Sequence, residues 1–71
     1  MKIGDRIHDR RPGAWSGAIL RLYLAGDDDP DGVEEVDTDR DTFAMVVRLD
    51  NGRFLAFDIH RPGDVQKLLL N

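Results

Sequence analysis

Short apolar runs separated by turn-forming residues set the pattern of this chain. Gly and Pro mark the turns, and they stand at Pro12-Gly13, Gly26, Pro30, Asp31-Gly32, Asn51-Gly52 and Pro62-Gly63. The runs between them are rich in Ile, Leu, Val and aromatic residues, which favours β-strands. They predict strands over residues 5–9, 17–25, 42–50 and 53–59.

The strongest single signal is the dipeptide Asn51-Gly52 between the last two runs. It supplies the positive φ angles of a two-residue type I′ turn, so residues 42–50 and 53–59 should form a β-hairpin. This turn places Leu49 opposite Phe54. The side chains that then point into the core are Phe43, Met45, Val47, Leu49, Phe54 and Ala56.

The opposite surface of the predicted hairpin is also apolar. A hairpin with one solvent-exposed face would instead alternate apolar and polar residues along each strand. It carries Ala44, Val46, Leu55, Phe57 and Ile59, interrupted by Arg48. We expect this surface to be covered, either by residues 68–70 of the same chain or by a second copy or partner protein. The predicted protein contacts are Trp15, Arg48, Leu55 and Phe57.

The end of the chain completes the predicted fold. Asp64 follows Pro62-Gly63 and is placed to cap one helical turn before a closing strand. Five short strands, a tight hairpin and this turn predict an all-β, single-domain, five-stranded SH3-like barrel over residues 1–71.

Composition narrows the function classes. The chain has 71 residues, a net charge of −4 and no cysteine, which excludes disulfides, thiol catalysis and cysteine-bound zinc. A chain this short buries only about 60% of its unfolded surface, so oligomerisation is a common supplement. Apolar runs such as 43–47 are too short to cross a bilayer, and the polar N-terminus lacks a secretory signal pattern, so we expect a cytoplasmic protein.

Charge is divided unevenly along the chain. Residues 26–42 hold nine acids against Arg40, which predicts a long, exposed acidic loop. The first 25 residues carry five basic and two acidic side chains. The chain outside residues 26–42 is therefore mildly basic, although its total charge is negative.

Part of the N-terminal third resembles a known family. Residues 4–7 (Gly-Asp-Arg-Ile), 13–19 (Gly-Ala-Trp-Ser-Gly-Ala-Ile) and Tyr23 resemble the opening strands of the plasmid-borne type II dihydrofolate reductases. They are also similar to other small SH3-like proteins, such as the barrel-shaped accessory subunit of photosystem I and KOW modules. The reductases build their active pore from a Val-Gln-Ile-Tyr segment, whereas residues 54–57 here read Phe-Leu-Ala-Phe. No reductase site residue is therefore carried over, and we expect neither enzymatic activity nor a cofactor.

Two groups of residues raise the question of a metal. Asp27, Asp29, Asp31 and Gly32 reproduce the opening of a calcium-binding loop, but Thr38 stands where the bidentate Glu belongs. A solvated loop is the preferred interpretation.

The two histidines offer a second metal alternative. His8 and His60, with Asp9 and Asp58, would form a site only if the first and fourth strands lay side by side. Because the histidines lack local ligand spacing, no metal is predicted there.

The sequence leaves three functions open. The preferred one is a non-catalytic protein-interaction or regulatory module, such as a small regulator carried by a phage or plasmid. The first alternative is a weak nucleic-acid-binding barrel that uses Arg10, Arg11, Trp15 and Arg21. The second is a reductase-like oligomer, which the type II resemblance implies.

Overall fold

The computed structural model describes residues 1–70, which form five antiparallel strands and almost no helix. The strands are β1 (Arg6–Asp9), β2 (Ser16–Leu24), β3 (Phe43–Leu49), β4 (Phe54–Ile59) and β5 (Leu68–Leu70). The predicted helical turn is a 3₁₀ turn over Asp64–Lys67, but its N-cap is Gly63, in a left-handed conformation, and Asp64 makes no capping hydrogen bond. The all-β prediction is confirmed.

One curled sheet, in the order β4-β3-β2-β1-β5, makes a half-barrel. The long central strand β2 has a bulge at Leu20, because Ile19 pairs with Val47 and Arg21 pairs with the adjacent Val46. Bulges increase the local bend and twist of a strand, which suits a sheet that curls. Gly17 also permits the close approach of β2 and β3, since a Cβ there would collide with the Arg48 carbonyl oxygen.

The core lies on the concave side of this sheet. Its buried apolar side chains come from β1 to β4 and from Val36 and Val65, which lie outside the strands. They are Ile7, Ile19, Leu22, Val36, Phe43, Met45, Val47, Leu49, Ile59 and Val65. Val36 belongs to the acidic segment 26–42, for which the sequence predicts an exposed loop, yet Val36 is buried. That segment also bridges β2 through Val33 and the N-terminus through Glu35, so it is anchored to the fold.

The predicted turn between β3 and β4 is wrong in type. Within this turn, Gly52 has a positive φ, of 88°, but Asn51 does not. The loop holds three residues, because the Leu49 N–H donates to the Arg53 carbonyl and the Gly52 N–H donates to the Leu49 carbonyl. The Asn51 side chain accepts a hydrogen bond from the Arg53 N–H, 2.9 Å away, which stabilises this longer loop.

One extra loop residue reverses the faces of β4. Phe54 pairs with Arg48 rather than Leu49, and Leu55 pairs with Val47, so the predicted core positions Phe54 and Ala56 lie outside. The physical reason is Asp58, which has the same orientation as Phe54 and Ala56 along the strand. The predicted register would have turned its charge into the core, and burying an unpaired carboxylate is costly.

Two alternatives considered from the sequence depended on strand order, and the sheet supports neither. The segment 68–70 pairs with β1, at the edge of the sheet farthest from β4, so it does not cover the β3–β4 hairpin. Strands β1 and β4 are separated by β2 and β3, which removes the premise of the His8–His60 metal site. Within residues 1–70, no helix has the length and apolar character needed to cross a membrane.

Candidate functional site

The edge of β4 is the longer open edge of the sheet. β4 pairs only with β3, and its six residues contain no Pro, no Lys and no bulge, which are three of the features with which proteins block an exposed edge. The other edge, β5, is only three residues long. Among residues 1–70, β4 is therefore the strand best able to pair with an additional strand.

The hydrogen-bond register shows which backbone groups of β4 are free. The Leu49 N–H donates to the Arg53 carbonyl over 2.7 Å. From this pair onward, residues whose N–H and C=O groups point toward β3 alternate with residues whose groups point outward, to the open edge. Leu55, Phe57 and Ile59 therefore direct their N–H and C=O groups toward β3. The outward groups belong to Phe54, Ala56 and Asp58.

The concave side of this edge is apolar. Leu55 and Phe57 are half-buried and pack against the core beside Val47 and Met45. Trp15 stacks on Phe57 with ring centroids 5.3 Å apart and an interplanar angle of 30°. This stack brings the β1–β2 turn to the concave side of β4 and leaves part of each ring accessible.

Trp15 is held in place by the turn that carries it. The Asp9 N–H donates to the Trp15 carbonyl over 3.0 Å and closes the turn between β1 and β2. The Asp9 carboxylate accepts the backbone N–H of Arg11 at 2.9 Å and its guanidinium at 3.1 Å. These bonds, the backbone one first, hold the pKa of Asp9 below its ordinary value.

The convex side of the edge combines an exposed ring with a cation. Phe54 is 59% exposed, and its cross-strand neighbour is Arg48, which is also exposed. Asp58 is the one charged residue within β4 and is exposed on the same face. Neither Arg48 nor Asp58 forms an ion pair with any residue of the range 1–70.

A polar clamp fixes the hairpin turn next to this edge. The Asp50 carboxylate accepts the Ser16 hydroxyl at 2.5 Å and the Arg6 guanidinium at 2.7 and 2.9 Å. These partners, Ser16 first and Arg6 second, lower the pKa of Asp50. Because Arg6 lies on β1 and Ser16 on β2, these bonds tie the β3–β4 turn to both of those strands.

The structure brings all four predicted contact residues to β4, but on two faces. Trp15, Leu55 and Phe57 lie on the concave side, whereas Arg48 lies on the convex side beside Phe54. Leu55 and Phe57 therefore do not belong to the outer hairpin surface on which they were predicted.

The residues of the nucleic-acid alternative do not form one patch. Arg21 lies on the convex face opposite Val46, whereas Trp15 packs on the concave side. Arg11 is paired with Asp9, and Arg10 is exposed in the β1–β2 turn.

The acidic segment uses its carboxylates for local turns. Asp27 accepts the Asp29 N–H, and Asp29 accepts the Asp31 N–H, each at 2.9 Å. Over residues 1–70, the His, Asp and Glu side chains form no group of three placed to hold a metal ion.

Sequence reasoning missed the three residues whose backbone faces outward, Phe54, Ala56 and Asp58. Their importance depends on strand order, which local patterning does not reveal. The position of Asp58 was the available signal, since a charged residue indicates which face of a strand is exposed to solvent.

Comparison of the chain with protein-family models, curated proteins and solved structures finds no match.

Proposed function

We propose that this protein is a non-catalytic protein-interaction module of the SH3-like type, which binds an extended segment of a partner along the edge of β4. The barrel assignment is supported by five short strands, the β3–β4 hairpin and the 3₁₀ turn before the last strand. The observation that carries the binding role is the row of outward N–H and C=O groups at Phe54, Ala56 and Asp58.

Strand addition uses both components of this edge. Main-chain hydrogen bonds to the outward groups supply sequence-independent affinity, and side chains on the two faces supply specificity. On the concave side, an incoming strand would place alternate residues beside Leu55 and Phe57, next to the Trp15 ring. On the convex side, its other residues would lie beside Phe54 and within reach of Arg48.

The four predicted contact residues then have distinct roles. Leu55 and Phe57 offer apolar surface, and Trp15 extends that surface beyond the strand. Arg48 favours a partner residue with negative charge in the row of Phe54.

A variant at Ala56 tests this proposal with little effect on the fold. Because the Ala56 N–H faces away from β3, Ala56→Pro removes a donor from the edge and keeps the β3–β4 ladder. Ala56→Val is the matched control, since it retains the N–H. A phage-displayed library of short linear peptides should yield binders to the wild type and to Ala56→Val, but not to Ala56→Pro.

Peptides selected in this way should also change the fluorescence of Trp15, the sole tryptophan. A library that yields no binder, or binders that tolerate Ala56→Pro as well as the wild type, would contradict the proposal.

A further inference from the structure

We infer that the segment which pairs with the β4 edge is β4 of a second copy of this chain, in antiparallel register about a two-fold axis at Ala56. This inference rests on the proposed function and identifies its partner. The strand is self-complementary in its backbone hydrogen-bonding groups, in its apolar side chains and in its charges.

The backbone fits because the outward residues are symmetric about Ala56. In this register Phe54 of one copy faces Asp58 of the other, and Ala56 faces its own equivalent. All of these residues direct their N–H and C=O groups to the edge, so each forms a hydrogen-bonded pair. Three N–H groups on each copy find acceptors, which gives six hydrogen bonds across the axis.

The apolar side chains also fit. On the concave side Leu55 of one copy faces Phe57 of the other, and the symmetry makes this contact twice. Pairs of aromatic and aliphatic side chains across strands are among the favourable ones. On the convex side the two Ala56 side chains lie next to each other at the axis.

Charge favours this register, in which Phe54 of one copy faces Asp58 of the other. Arg48 and Phe54 of one copy lie in one cross-strand row with Asp58 of the other copy. Opposite charges therefore flank the exposed ring of Phe54. The same row occurs twice. Shifting the axis to Asp58 would instead oppose two carboxylates, which is unfavourable. In the single chain, Arg48 and Asp58 have no ion-pair partner within residues 1–70.

The size of the contact sets the expected affinity. A single strand edge buries less than the roughly 1,600 Å² of a standard protein–protein interface, so the dimer should be weak and concentration-dependent. We expect dissociation constants of roughly 10 μM to 1 mM.

A charge exchange tests the register. Arg48→Glu places two acids in each row, and Asp58→Arg places two cations there, so each variant alone should dimerise about 10-fold more weakly than the wild type. An equimolar mixture should recover dimers, because every row of the mixed pair again holds opposite charges. Arg21→Glu is the matched control: it reverses a charge on the same face but outside these rows.

Sedimentation equilibrium over roughly 10 μM to 1 mM measures these constants. Recovery in the mixture, with dimerisation lost in Ala56→Pro and kept in Arg21→Glu, supports the inference. A wild type that stays monomeric while edge-binding peptides are still selected would refute the second copy and leave the proposed edge intact. A monomer that also selects no peptide would refute both, and dimers unaffected by the charge variants would refute this register.

Discussion

Replacing one phenylalanine on each face of β4 gives a matched test of the register. Phe54 and Phe57 are the same residue type on one strand, but Phe57 packs against the core and Trp15, whereas Phe54 is 59% exposed. We expect Phe57→Ala to destabilise the protein strongly and Phe54→Ala to have little effect on its stability.

The magnitude follows from burial. Removal of a fully buried Phe side chain costs about 3–5 kcal/mol, and the half-buried Phe57 should cost about 2 kcal/mol, including its stack with Trp15. For a domain of this size, such a loss should lower Tm by roughly 10 °C. Phe54→Ala should change stability by less than about 0.5 kcal/mol, as exposed positions generally do.

Urea denaturation followed by Trp15 fluorescence measures both values. The ring of Trp15 lies against Phe57, so the signal reports on this part of the fold directly. A larger loss of stability in Phe54→Ala than in Phe57→Ala would refute the register and restore the two-residue turn.

Four other outcomes are expected. Gly17→Ala should destabilise the protein by about 1–3 kcal/mol in thermal denaturation, because its Cβ would collide with the Arg48 carbonyl. The pKa of Asp50 is lowered in the folded state, so its contribution to stability is present above its ordinary pKa and is lost as pH falls through the folded value. Ser16→Ala should therefore move the Asp50 titration, followed by NMR, to higher pH. Calorimetric titration with calcium should show at most weak binding to residues 27–41, where Thr38 replaces the bidentate ligand. Absorbance assays should detect no oxidation of a reduced nicotinamide cofactor in the presence of dihydrofolate.

The strands were predictable because their signals are local. Alternating apolar residues and the turn residues around them located all four predicted strands to within one residue. The hairpin was predictable for the same reason, since Gly52 does supply a positive φ at its turn.

The register was not predictable from the turn alone, because two-residue and three-residue loops share the Asn51-Gly52 pattern. Adding one residue to the loop turns every side chain of the next strand to the other face. Asp58 was the residue that distinguished the two, and only the wet face of the sheet accommodates its charge.

The candidate site was predictable in part. Leu55 and Phe57 lie on β4, and Trp15 and Arg48 lie beside it, yet the prediction assigned Arg48, Leu55 and Phe57 to one outer surface of the hairpin. That prediction placed the apolar residues of both hairpin strands on one face. In the structure, the residues concerned on β4 face the core, whereas Ala44 and Val46 on β3 lie on the convex face. The free edge itself depends on the sheet order β4-β3-β2-β1-β5, which involves pairings between residues far apart in sequence.

Amide hydrogen exchange along β4, measured by NMR at several protein concentrations, tests the free edge most directly. In dilute protein, the amides of Leu55 and Phe57 should exchange slowly because they bond to β3, while those of Ala56 and Asp58 exchange fast. As the concentration rises toward roughly 1 mM, the Ala56 amide should become protected as a second strand occupies the edge. An Ala56 amide that is protected at every concentration, beside a fast Leu55 amide, would contradict the account.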